Sequence, residues 1–498
     1  MKPVVLALDI GTSSTRSALV DARGRFLPGT LAQEAYPLRT DSDGRAELRP
    51  EVLADVAARM VASSLKIHRR GKSSGAPVSA IGVSCFWHGL MGVDARGKPL
   101  TPVYTWADSR CRDDARQLRR ELDERKIHAR TGCVLHATFW PAKLSWLRRV
   151  NPALFARVHR WISPGEWLQW QWCGGATASI SMASATGLLN RHTLDWDAAL
   201  LSHGEIESKK LSPISDAPGR LTPGMIKRFP DLREARFFPA LGDGATSNLG
   251  SGAVAGGVAA INVGTSAALR IVVRTKSKTR LKLPKGLFLY RLDANRQIFG
   301  GAIGNAGNLR AWAERELKLP SDPREQERLL QGRFANPAQL NVLPFWVGER
   351  APSWPDRTPS VVVGLSLATT AIDFLRALQE ASYLRLAQIA ERVEHALGKK
   401  LVYIVSGGIC HSPNSLQLLS DVLGRKLFRS RDLEASLLGA GLFALERLGL
   451  RHPPPKLARP IQPHPARSAA YRLARERQVR LEHFASKLNL SPANRQAP

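Results

Sequence analysis

The sequence predicts an α/β protein made of two similar domains that face each other across a cleft. The chain has 498 residues, more than one hydrophobic core usually accommodates. Its residues 7–14, ALDIGTSS, recur in nearly the same form at 260–267 as AINVGTSA. Gly264 follows Gly11 by 253 residues (264 minus 11), so the copies head two halves. We expect domains over residues 1–252 and 253–450, followed by a basic tail over 451–498.

Composition is typical of a folded protein from a reducing compartment. Apolar residues make up 44% of the chain and charged residues 23%. The 5 cysteines are scattered and never form a C-x-x-C pair, which argues against a disulfide framework or a zinc site. The first apolar run meets Asp9 after a few residues, as in a strand rather than a signal peptide. No apolar run approaches the ~18 residues of a spanning helix. We expect a cytoplasmic protein without membrane contact.

The formal net charge of +30 raises the question of an anionic partner. Residues 451–498 hold ten Lys or Arg against two acids, Glu476 and Glu482, and the remaining excess is spread along the chain. No recognisable nucleic-acid module accompanies it. We interpret the charge as a solvated basic surface, with a nucleic-acid reader as the alternative. Within the tail, YRLARERQVRLEHFASKL predicts a charged amphipathic helix packed on the second domain.

The repeated stretch predicts a β-hairpin in each half. VVLALDIGTSSTRSALVD contains an apolar strand, a turn that we expect to be long and polar, and a second apolar strand, and VAAINVGTSAALRIVV repeats this plan. Gly11 and Gly264 have no side chain, so a ligand can approach the backbone closely. The hydroxyl residues that follow add donors beside exposed backbone N–H groups, which suits phosphate oxygens. Either turn alone could be an ordinary hairpin turn, but two copies predict two loops on one polyphosphate.

The first loop carries Asp9 where the second has Asn262. Each carboxylate near a phosphate repels it, so a single acid is useful when it holds a Mg²⁺ that neutralises the phosphates. We predict this role for Asp9, directly or through metal-bound water. The alternative is a side chain that caps the turn. Arg16, a few residues beyond the loop, could also reach a phosphate.

A further signal lies between the two loops, in FFPALGDGATSNLGSGAVAGG at residues 237–257. Asp243 stands between two glycines after a strand-like run, so we expect its carboxylate to be accessible. Taken alone, the pattern is better explained as a common Asp-Gly turn. Combined with the repeat, its place beside two phosphate loops favours a general base.

The segment LVYIVSGGICHSPNSLQLLSDVLGRKL, residues 401–427, predicts a strand, a double glycine and a helix. Ser412 and Pro413 fit the beginning of that helix. Gly407 and Gly408 would let the flat face of an adenine ring lie on the backbone, and the alternative is an ordinary strand-to-helix connection. The later EASLLGAGLFAL, residues 434–445, predicts a buried helix of small residues that serves packing.

These segments together resemble the FGGY carbohydrate kinases. The resemblance runs in order through LDIGTSSTR, TWADSR, LGDGATSN, NVGTSAALR, GGAIGNAGNL, GERAPSW and SGGICHSPN, and so covers nearly the whole chain. It implies the actin-like, ribonuclease H-like two-domain fold of sugar kinases, with a nucleotide cleft between the domains. It also implies ATP as phosphoryl donor, Mg²⁺ as metal and a small sugar or sugar acid as substrate, with a homodimer as a candidate assembly.

The functional positions of the family can be transferred to this chain one by one. Asp243 matches the catalytic base and Asp9 the metal-associated acid, with Asp243 assigned to the same metal. The nucleotide side comprises two phosphate loops and an adenosine site: Gly11, Thr12, Ser13, Ser14, Arg16, Gly264, Thr265, Gly307, Asn308, Gly408 and Ser412. The sugar side comprises Trp87, His88, Trp106, Asp108 and Arg110.

Within the family, FWHGLMGVDARGKPLTPVYTWADSR, residues 86–110, most resembles gluconokinase-type members. Glycerol kinases usually have Arg-Glu in place of Trp87 and His88, and xylulokinases have Gln-Met-His-Gly, of which this chain keeps only the His and Gly. Glycerol is therefore disfavoured and xylulose stays open. The stretch after Gly364 follows the family signature only loosely. Lys143 and His88 could pair with a sugar carboxylate, unless Lys143 is a surface charge over the helix around Trp146.

We therefore expect a kinase that transfers the γ-phosphoryl group of ATP to the terminal hydroxyl of a small sugar acid, first of all gluconate, giving 6-phosphogluconate. One alternative is a xylulokinase or another pentulose or polyol kinase, which would share every residue on the ATP side. A further alternative is an actin-like ATPase without a sugar acceptor. The tryptophans at 140, 146, 161, 167, 170 and 172 could form a carbohydrate platform, but we expect most of them in the core.

Overall fold

The structure is a computed structural model that describes residues 3–70, 76–275, 282–331, 340–355, 358–431, 434–451, 453 and 457–488. Its strands before residue 253 are β1 Val4–Ile10, β2 Ser14–Val20, β3 Ala32–Ala35, β4 Arg39–Thr40, β5 Ala46–Leu48, β6 Val78–Cys85, β7 Met91–Val93, β8 Val103–Tyr104, β9 Arg160–Ile162, β10 Leu189–Asn190, β11 Asp195–Trp196, β12 Arg236–Phe237 and β13 Leu241–Gly242. The later strands are β14 Val258–Val263, β15 Ala267–Arg274, β16 Phe288–Arg291, β17 Arg296–Ile303, β18 Asn341–Leu343, β19 Val361–Val363, β20 Val402–Ser406, β21 Leu427–Arg429 and β22 Pro460–Ile461.

Helices cover the faces of the sheets formed by these strands. The helices before residue 253 are α1 Pro50–Arg70, α2 Arg112–Glu121, α3 Glu124–Thr131, α4 Trp140–Val150, α5 Pro152–Arg157, α6 Pro164–Cys173, α7 Ile180–Ser184, α8 Ala198–His203, α9 Pro223–Arg228 and α10 Asp243–Ser251. The later ones are α11 Gly307–Glu316, α12 Pro323–Leu330, α13 Ala371–Leu397, α14 Pro413–Leu423, α15 Ala435–Arg447 and α16 Pro465–Ala485.

The two large sheets repeat one topology. The first has the order β12-β6-β1-β2-β3, and the second contains β21-β20-β14-β15-β17 in the same order. In each, a central strand pairs antiparallel with the next strand of the hairpin and parallel with a later strand: β1 with β2 and β6, and β14 with β15 and β20. The repeated sequence therefore marks a repeated fold, as predicted, with both copies at the same place in their sheets.

The register places the two differing residues at equivalent positions. Asp9 pairs across the parallel strands with Ser84, and Asn262 pairs with Ser406. The Asn262 amide donates to the Ser406 hydroxyl over 3.1 Å, and the Ser84 hydroxyl lowers the pKa of Asp9 through a hydrogen bond. Each half thus has a Ser paired with the residue in question, Asp9 or Asn262, and only Asp9 of the first half can carry a charge.

The two hairpin turns are shorter than expected. The strand pairing of β1 with β2 ends at Ile10 and Thr15, and the N–H of Gly11 donates to the carbonyl of Ser14 over 2.9 Å. The prediction of a long polar turn is wrong, because Ser14 and the residues after it are already part of β2. A short, hydrogen-bonded turn holds its backbone N–H groups in fixed directions, which favours binding of a ligand by the backbone.

Helices α10 and α15 cross closely between the sheets. A Cβ on Gly250 would lie 1.9 Å from the Ala435 carbonyl oxygen, and one on Gly439 would lie 1.8 Å from that of Thr246. Only glycine allows backbones to approach so far. At this crossing the Ser436 hydroxyl of α15 donates to the carbonyl of Asp243, the first residue of α10, over 3.2 Å.

Helix α15 belongs to the second half by sequence and to the first sheet by packing. Its side chains at 437, 438, 440, 442, 444 and 445 share a core with buried residues of β1, β2 and β6. A Cβ on Gly82 of β6 would meet the Ala440 carbonyl at 2.1 Å. The buried small-residue helix predicted at 434–445 is therefore present, and residues 253–450 do not pack as one self-contained unit.

The basic tail continues the second half of the fold. Strand β22 extends the second sheet beside β21, and α16 packs on α13, α14 and β18. Tyr471 and Ala474 of α16 join the core of the second sheet. The described part of the tail therefore contains the packed helix that the sequence predicts.

Several tryptophans of the aromatic-rich segment pack in the core. Trp140, Trp161, Trp167 and Trp172 are buried, and Trp161 lies beside Phe155 with ring centroids 5.3 Å apart.

None of the helices in the described part of the chain combines the length and the apolar character needed to cross a bilayer.

Candidate active site

A cavity between the two sheets brings together residues from both halves of the chain. Its walls are formed by Trp87, His88, Trp106, Asp243, Gly244, Ser247, Asn262, Ser266, Ala267, Ala268, Arg270, Phe288, Tyr290, Ala302, Arg350, Trp354 and Ser436. Four of the sequence-predicted residues, Trp87, His88, Trp106 and Asp243, are among them. Residues of the second hairpin, Asn262 and Ser266, close the same cavity.

Asp243 is the first residue of α10 and lies partly exposed in the cavity. The N–H of Gly244 donates to its Oδ1 over 2.7 Å, and its carbonyl accepts a bond from the Ser436 hydroxyl of α15 over 3.2 Å. Burial raises the pKa of its carboxyl, while the Arg270 charge and hydrogen bonds from the backbone act in the opposite direction. A carboxylate with a raised pKa in a cleft suits proton abstraction from a hydroxyl.

Arg270 of β15 lies beside this carboxylate, and its Nε has no hydrogen-bond partner among the described residues. A Cβ on Gly244 would lie 2.5 Å from that Nε, so glycine at 244 makes room for the guanidinium. Its Cζ lies 5.7 Å from the centre of the Trp87 ring. Arg270 is thus a cation next to the proposed base, and it is not one of the residues predicted from the sequence.

Asp9 is 5% exposed, and its carboxyl group is close enough to Asp243 for the charges of the two groups to interact. Burial raises the pKa of Asp9 to about 6, and the charges of Asp243 and Glu434 contribute in the same direction. No group of three His, Cys, Asp or Glu side chains forms a metal cluster within the described ranges. Mg²⁺ commonly uses one or two protein carboxylates with water and phosphate oxygens. Asp9 and Asp243, whose charges interact, fit such a partial ligand set.

Arg16 is held by acids rather than turned freely toward a ligand. Its Nη1 lies 3.6 Å from Asp9 Oδ2, and its Nε lies 2.9 Å from Oε2 of Glu434. Glu434 directly precedes α15, so the arginine links the first hairpin to the second half. Because two carboxylates already compensate its charge, Arg16 would have to leave at least one of them to bind a phosphate directly.

The first loop is fixed from beneath by an aromatic hydroxyl. Tyr36 donates to the carbonyl of Gly11 over 2.6 Å, and its oxygen lies 3.0 Å from the Thr15 hydroxyl. Thr12 is partly exposed and Ser13 exposed, whereas the Ser14 side chain is buried. The open groups of this loop are therefore those of residues 11–13.

The second loop is fixed by the start of α11. The N–H groups of Gly307 and Asn308 donate to the carbonyls of Gly264 and Thr265 over 3.0 and 3.1 Å. A Cβ on Gly307 would lie 2.4 Å from the Gly264 oxygen. Gly307 and Asn308 thus hold the loop in place through their backbone, and the exposed Thr265 is the group left open to a ligand.

The double-glycine segment follows β20 as the sequence predicts. Gly407 has a φ of 89°, and Gly408 is exposed, so a flat face of backbone is accessible there. Ser412 instead caps α14, accepting from the N–H of Ser415 over 3.1 Å and donating to Glu327 over 2.5 Å. Ser412 therefore shapes this region from a buried position.

His88 faces the cavity as a neutral imidazole. Its Nδ1 lies 2.6 Å from the carbonyl of Ala185 and so must donate to it. Burial lowers its pKa well below the usual value, and the nearby cations Lys143, Arg350 and Arg270 act in the same direction. The prediction that His88 pairs with a carboxylate needs a charged ring, so the geometry instead supports Nε2 as an acceptor for a sugar hydroxyl.

Three predicted sugar-side residues do not line the cavity. Lys143 is 1% exposed and donates through Nζ to the carbonyls of Ala137 and Thr138 over 2.9 and 2.6 Å. It is therefore neither a carboxylate ligand in this cavity nor the surface charge that we considered as its alternative. Asp108 and Arg110 bind each other at 2.6 Å.

The Asp108–Arg110 pair belongs to a structural network. Arg110 also contacts Glu47 of β5 at 2.5 Å, and Asp108 Oδ2 accepts from the N–H of Ala46. The Arg110 guanidinium lies 4.6 Å from the Trp146 ring centre. These contacts hold the segment that presents Trp106 to the cavity, so both residues support the site from behind.

Arg350 is the other cation on the cavity wall that sequence reasoning missed. Its Cζ lies 4.4 Å from the centre of the Trp106 ring, and its Nη2 donates to the carbonyl of Ile303 over 2.8 Å. Both Arg270 and Arg350 lie inside segments that carried the family resemblance, NVGTSAALR and GERAPSW. The signal was available there, but only the fold shows which side chains of these segments point into the cavity.

Comparison with known proteins identifies the family of the chain. The model of the FGGY family of carbohydrate kinases matches through its N-terminal domain at residues 4–229 and through its C-terminal domain at residues 259–446. The chain therefore belongs to the FGGY family of carbohydrate kinases, enzymes that transfer the phosphoryl group of ATP to an alcohol group of a sugar.

Individual relatives within the family act on different substrates, and they do not decide which sugar this chain phosphorylates. The chain is 27% identical over 467 residues to a gluconokinase of Bacillus subtilis (strain 168), covering 90% of this chain and 88% of the relative. The solved gluconate kinase of Lactobacillus acidophilus has a TM-score of 0.88 at 23% identity, covering 98% of this chain and 99% of that one. A ligand-bound xylulose kinase of the same organism has a TM-score of 0.87 at 23% identity, covering 97% and 99%. The fold is thus the two-domain, actin-like fold of sugar kinases.

Proposed function

We propose that this kinase phosphorylates a small sugar acid, gluconate first of all, at its terminal hydroxyl to give 6-phosphogluconate. Two observations support the proposal: the similarity to gluconokinases and the charge of the cavity. The charge of the cavity is observed in this structure and carries the argument.

The cavity has a surplus of positive charge. Arg270 and Arg350 line it, while Asp243 is the acid on the same walls and His88 is neutral. Burial makes uncompensated charge costly, so an anionic substrate fits better than a neutral sugar. A sugar carboxylate would balance the second guanidinium.

The reaction follows from the positions of three side chains. The oxygen of the substrate hydroxyl attacks the γ-phosphorus of ATP, the bond from that phosphorus to the bridging oxygen breaks, and ADP leaves. Asp243 accepts the proton of the attacking hydroxyl. The Arg270 charge opposes the rise in the pKa of Asp243 that burial causes, and so favours the ionised form of the base. His88 accepts a hydrogen bond from another hydroxyl of the substrate and so orients the sugar acid in the cavity. The transition state is loose, and positioning and charge neutralisation therefore supply most of the catalysis.

The backbone loops and two acids would serve the nucleotide. The N–H groups of residues 11–13 and the open Thr265 offer donors to phosphate oxygens, and the exposed Gly408 offers a flat surface to adenine. Asp9, with Asp243 nearby, would hold Mg²⁺. Bound Mg²⁺ neutralises phosphate charge.

The direct test measures ADP formation from ATP and Mg²⁺ with gluconate, xylulose, ribulose or glycerol, and without any sugar. Turnover that depends on gluconate supports the proposal. Turnover with a ketopentose alone would replace the substrate but keep Asp243 as base, and would favour the xylulokinase alternative. Sugar-independent hydrolysis that none of the sugars increases would contradict a sugar kinase.

A further inference from the structure

The segment GERAPSW, residues 348–354, is neither helix nor strand, yet many contacts fix it. The N–H of Ala351 donates to the carbonyl of Ala302 over 2.9 Å. The Trp354 indole donates to the carbonyl of Gly286 over 2.8 Å. Glu349 Oε1 accepts from the N–H groups of Gly304 and Arg350 over 2.5 and 2.8 Å. A loop held in this way presents its side chains at defined positions.

The same loop is braced from behind by two helices. Arg385 of α13 donates to the Ser353 hydroxyl over 2.8 Å, and that hydroxyl donates to Glu482 of α16. Arg385 in turn binds Glu482. The loop therefore cannot shift without disturbing the ion pair of the buried Arg385.

Arg350 is the charged side chain that this loop contributes to the cavity wall, beside Trp354. Its Nη2 is tied to Ile303, but among the described residues no hydrogen bond from Nη1 or Nε is found and no carboxylate lies within ion-pair distance. Burial raises the pKa of the adjacent Glu349 to about 7, so that acid compensates the guanidinium weakly. The Trp106 face beneath it holds the planar group by a cation–π contact.

We propose that Arg350 recognises the carboxylate of the sugar acid and thereby determines which substrates the enzyme accepts. The inference rests on the proposed function, because it needs an acidic substrate. In an aldonate the carboxylate and the terminal hydroxyl are at opposite ends of the chain. Arg270 lies against Gly244, next to the base, whereas the Arg350 guanidinium lies over the Trp106 ring. Both charges lower the pKa of Asp243, but Arg270 does so more strongly than Arg350. Arg350 is therefore the cation that is less engaged with the base and is available to the carboxylate.

The fork of an arginine matches a carboxylate with two parallel hydrogen bonds. With Nη2 tethered and the ring of Trp106 beneath, little orientational freedom remains to be lost on binding. Lys143, buried under its own two carbonyl acceptors, cannot supply this contact.

The test compares gluconate with gluconamide, which has the same hydroxyls but a neutral amide in place of the carboxylate. We expect Arg350→Gln to raise the KM for gluconate about 10- to 100-fold, the range of hydrogen bonds to charged groups, and to change the KM for gluconamide less than about threefold. Arg350→Lys should recover part of the preference. Arg315→Gln, at a surface arginine whose side chain is 69% exposed, is the matched control and should change neither KM.

Three outcomes would overturn the inference while leaving gluconate as the substrate. The ratio of the two KM values could stay unchanged in Arg350→Gln. Turnover could fall equally with both acceptors, which would place Arg350 on the transferred phosphoryl group. The preference could be lost in Arg270→Gln and kept in Arg350→Gln.

Failure of the proposed function looks different, because the unmodified enzyme would then show no gluconate turnover. Calorimetric titration of gluconate and gluconamide without nucleotide gives a second readout, since only a lost substrate contact lowers gluconate binding selectively. Equal melting temperatures of the variant and the unmodified protein establish that the variant is folded.

Discussion

The buried Arg385 forms an ion pair with the partly exposed Glu482 and so joins the long helix α13 to the C-terminal helix α16. The guanidinium is 0% exposed, and its Nη1 lies 2.5 Å from Glu482 Oε2. Through Ser353, the pair also reaches the loop that carries Arg350. A residue sixteen positions before the last one (498 minus 482) thus supports a loop in the wall of the active site.

Replacing Glu482 with Gln should destabilise the protein by about 3 kcal/mol, because the Arg385 charge would remain buried without its partner. Denaturant unfolding of the variant measures this loss. Glu476→Gln, at an exposed position of the same helix, should stay within about 0.5 kcal/mol of the unmodified protein. Equal stability of both variants would show that the ion pair contributes nothing to folding.

Replacing Asp243 with Asn should lower kcat roughly 10²- to 10⁴-fold, because the hydroxyl proton would lose its acceptor. Gluconate binding should be kept or strengthened, since an acid disappears from a cationic cavity. Single-turnover phosphorylation and calorimetric binding separate the two effects. Asp55→Asn, at an exposed position of α1, is the control. Near-normal turnover of Asp243→Asn at saturating Mg²⁺ and substrate would exclude Asp243 as the base.

Replacing Asp9 with Asn should stabilise the metal-free protein at neutral pH while it impairs catalysis. The pKa of Asp9 is raised from 3.8 to about 6, so the folded protein binds this proton more tightly than the unfolded chain. The contribution of Asp9 to stability is therefore complete below pH 3.8 and is lost as pH rises through 6. At pH 7 the variant should gain at most about 3 kcal/mol.

Unfolding free energies of both proteins between pH 4 and 8, without Mg²⁺, measure this effect. The difference should disappear near pH 4. The second half already has Asn262 at the equivalent position, which shows that the fold accepts an amide there. A variant that is less stable than the unmodified protein at every pH would contradict the raised pKa.

Replacing Gly439 with Ala should destabilise the protein by at least about 1–3 kcal/mol, because the new methyl would meet the Thr246 carbonyl at the α10–α15 crossing. Activity should fall as well, since α10 begins with Asp243. Thermal unfolding and turnover measure both effects. Gly175→Ala, with open space around its Cβ, should leave both unchanged. A stable, active Gly439→Ala would mean that the two helices can separate without consequence.

The sequence predicts most of the fold because the fold is a repeat. Both hairpins, the strand and glycines before Ser412, and the helix at 434–445 all lie where local pattern places them. The repeat also singles out Asp9 against Asn262, and the register of both sheets makes these residues equivalent. Local chemistry and a second copy were sufficient for these elements.

Residues whose role depends on distant packing could not be predicted. Lys143 looks like an exposed cation in its helix, and only the carbonyls of Ala137 and Thr138 explain its burial. Arg270 and Arg350 enter the cavity from a strand and an irregular loop of the second half, and neither segment specifies by itself which side faces the first half. The packing of α15 on the first sheet could likewise not be predicted, because α15 lies in the second half of the sequence.

That packing has a consequence for synthesis of the protein. One face of β1, β2 and β6 has its apolar residues covered by side chains of α15, which leave the ribosome after almost the entire remainder of the chain. The nascent first half therefore exposes an apolar sheet face for most of translation, and it cannot complete its core before the second half has been made. The core of the first sheet is therefore complete only when α15 is present, and the cavity with its base needs residues of both halves.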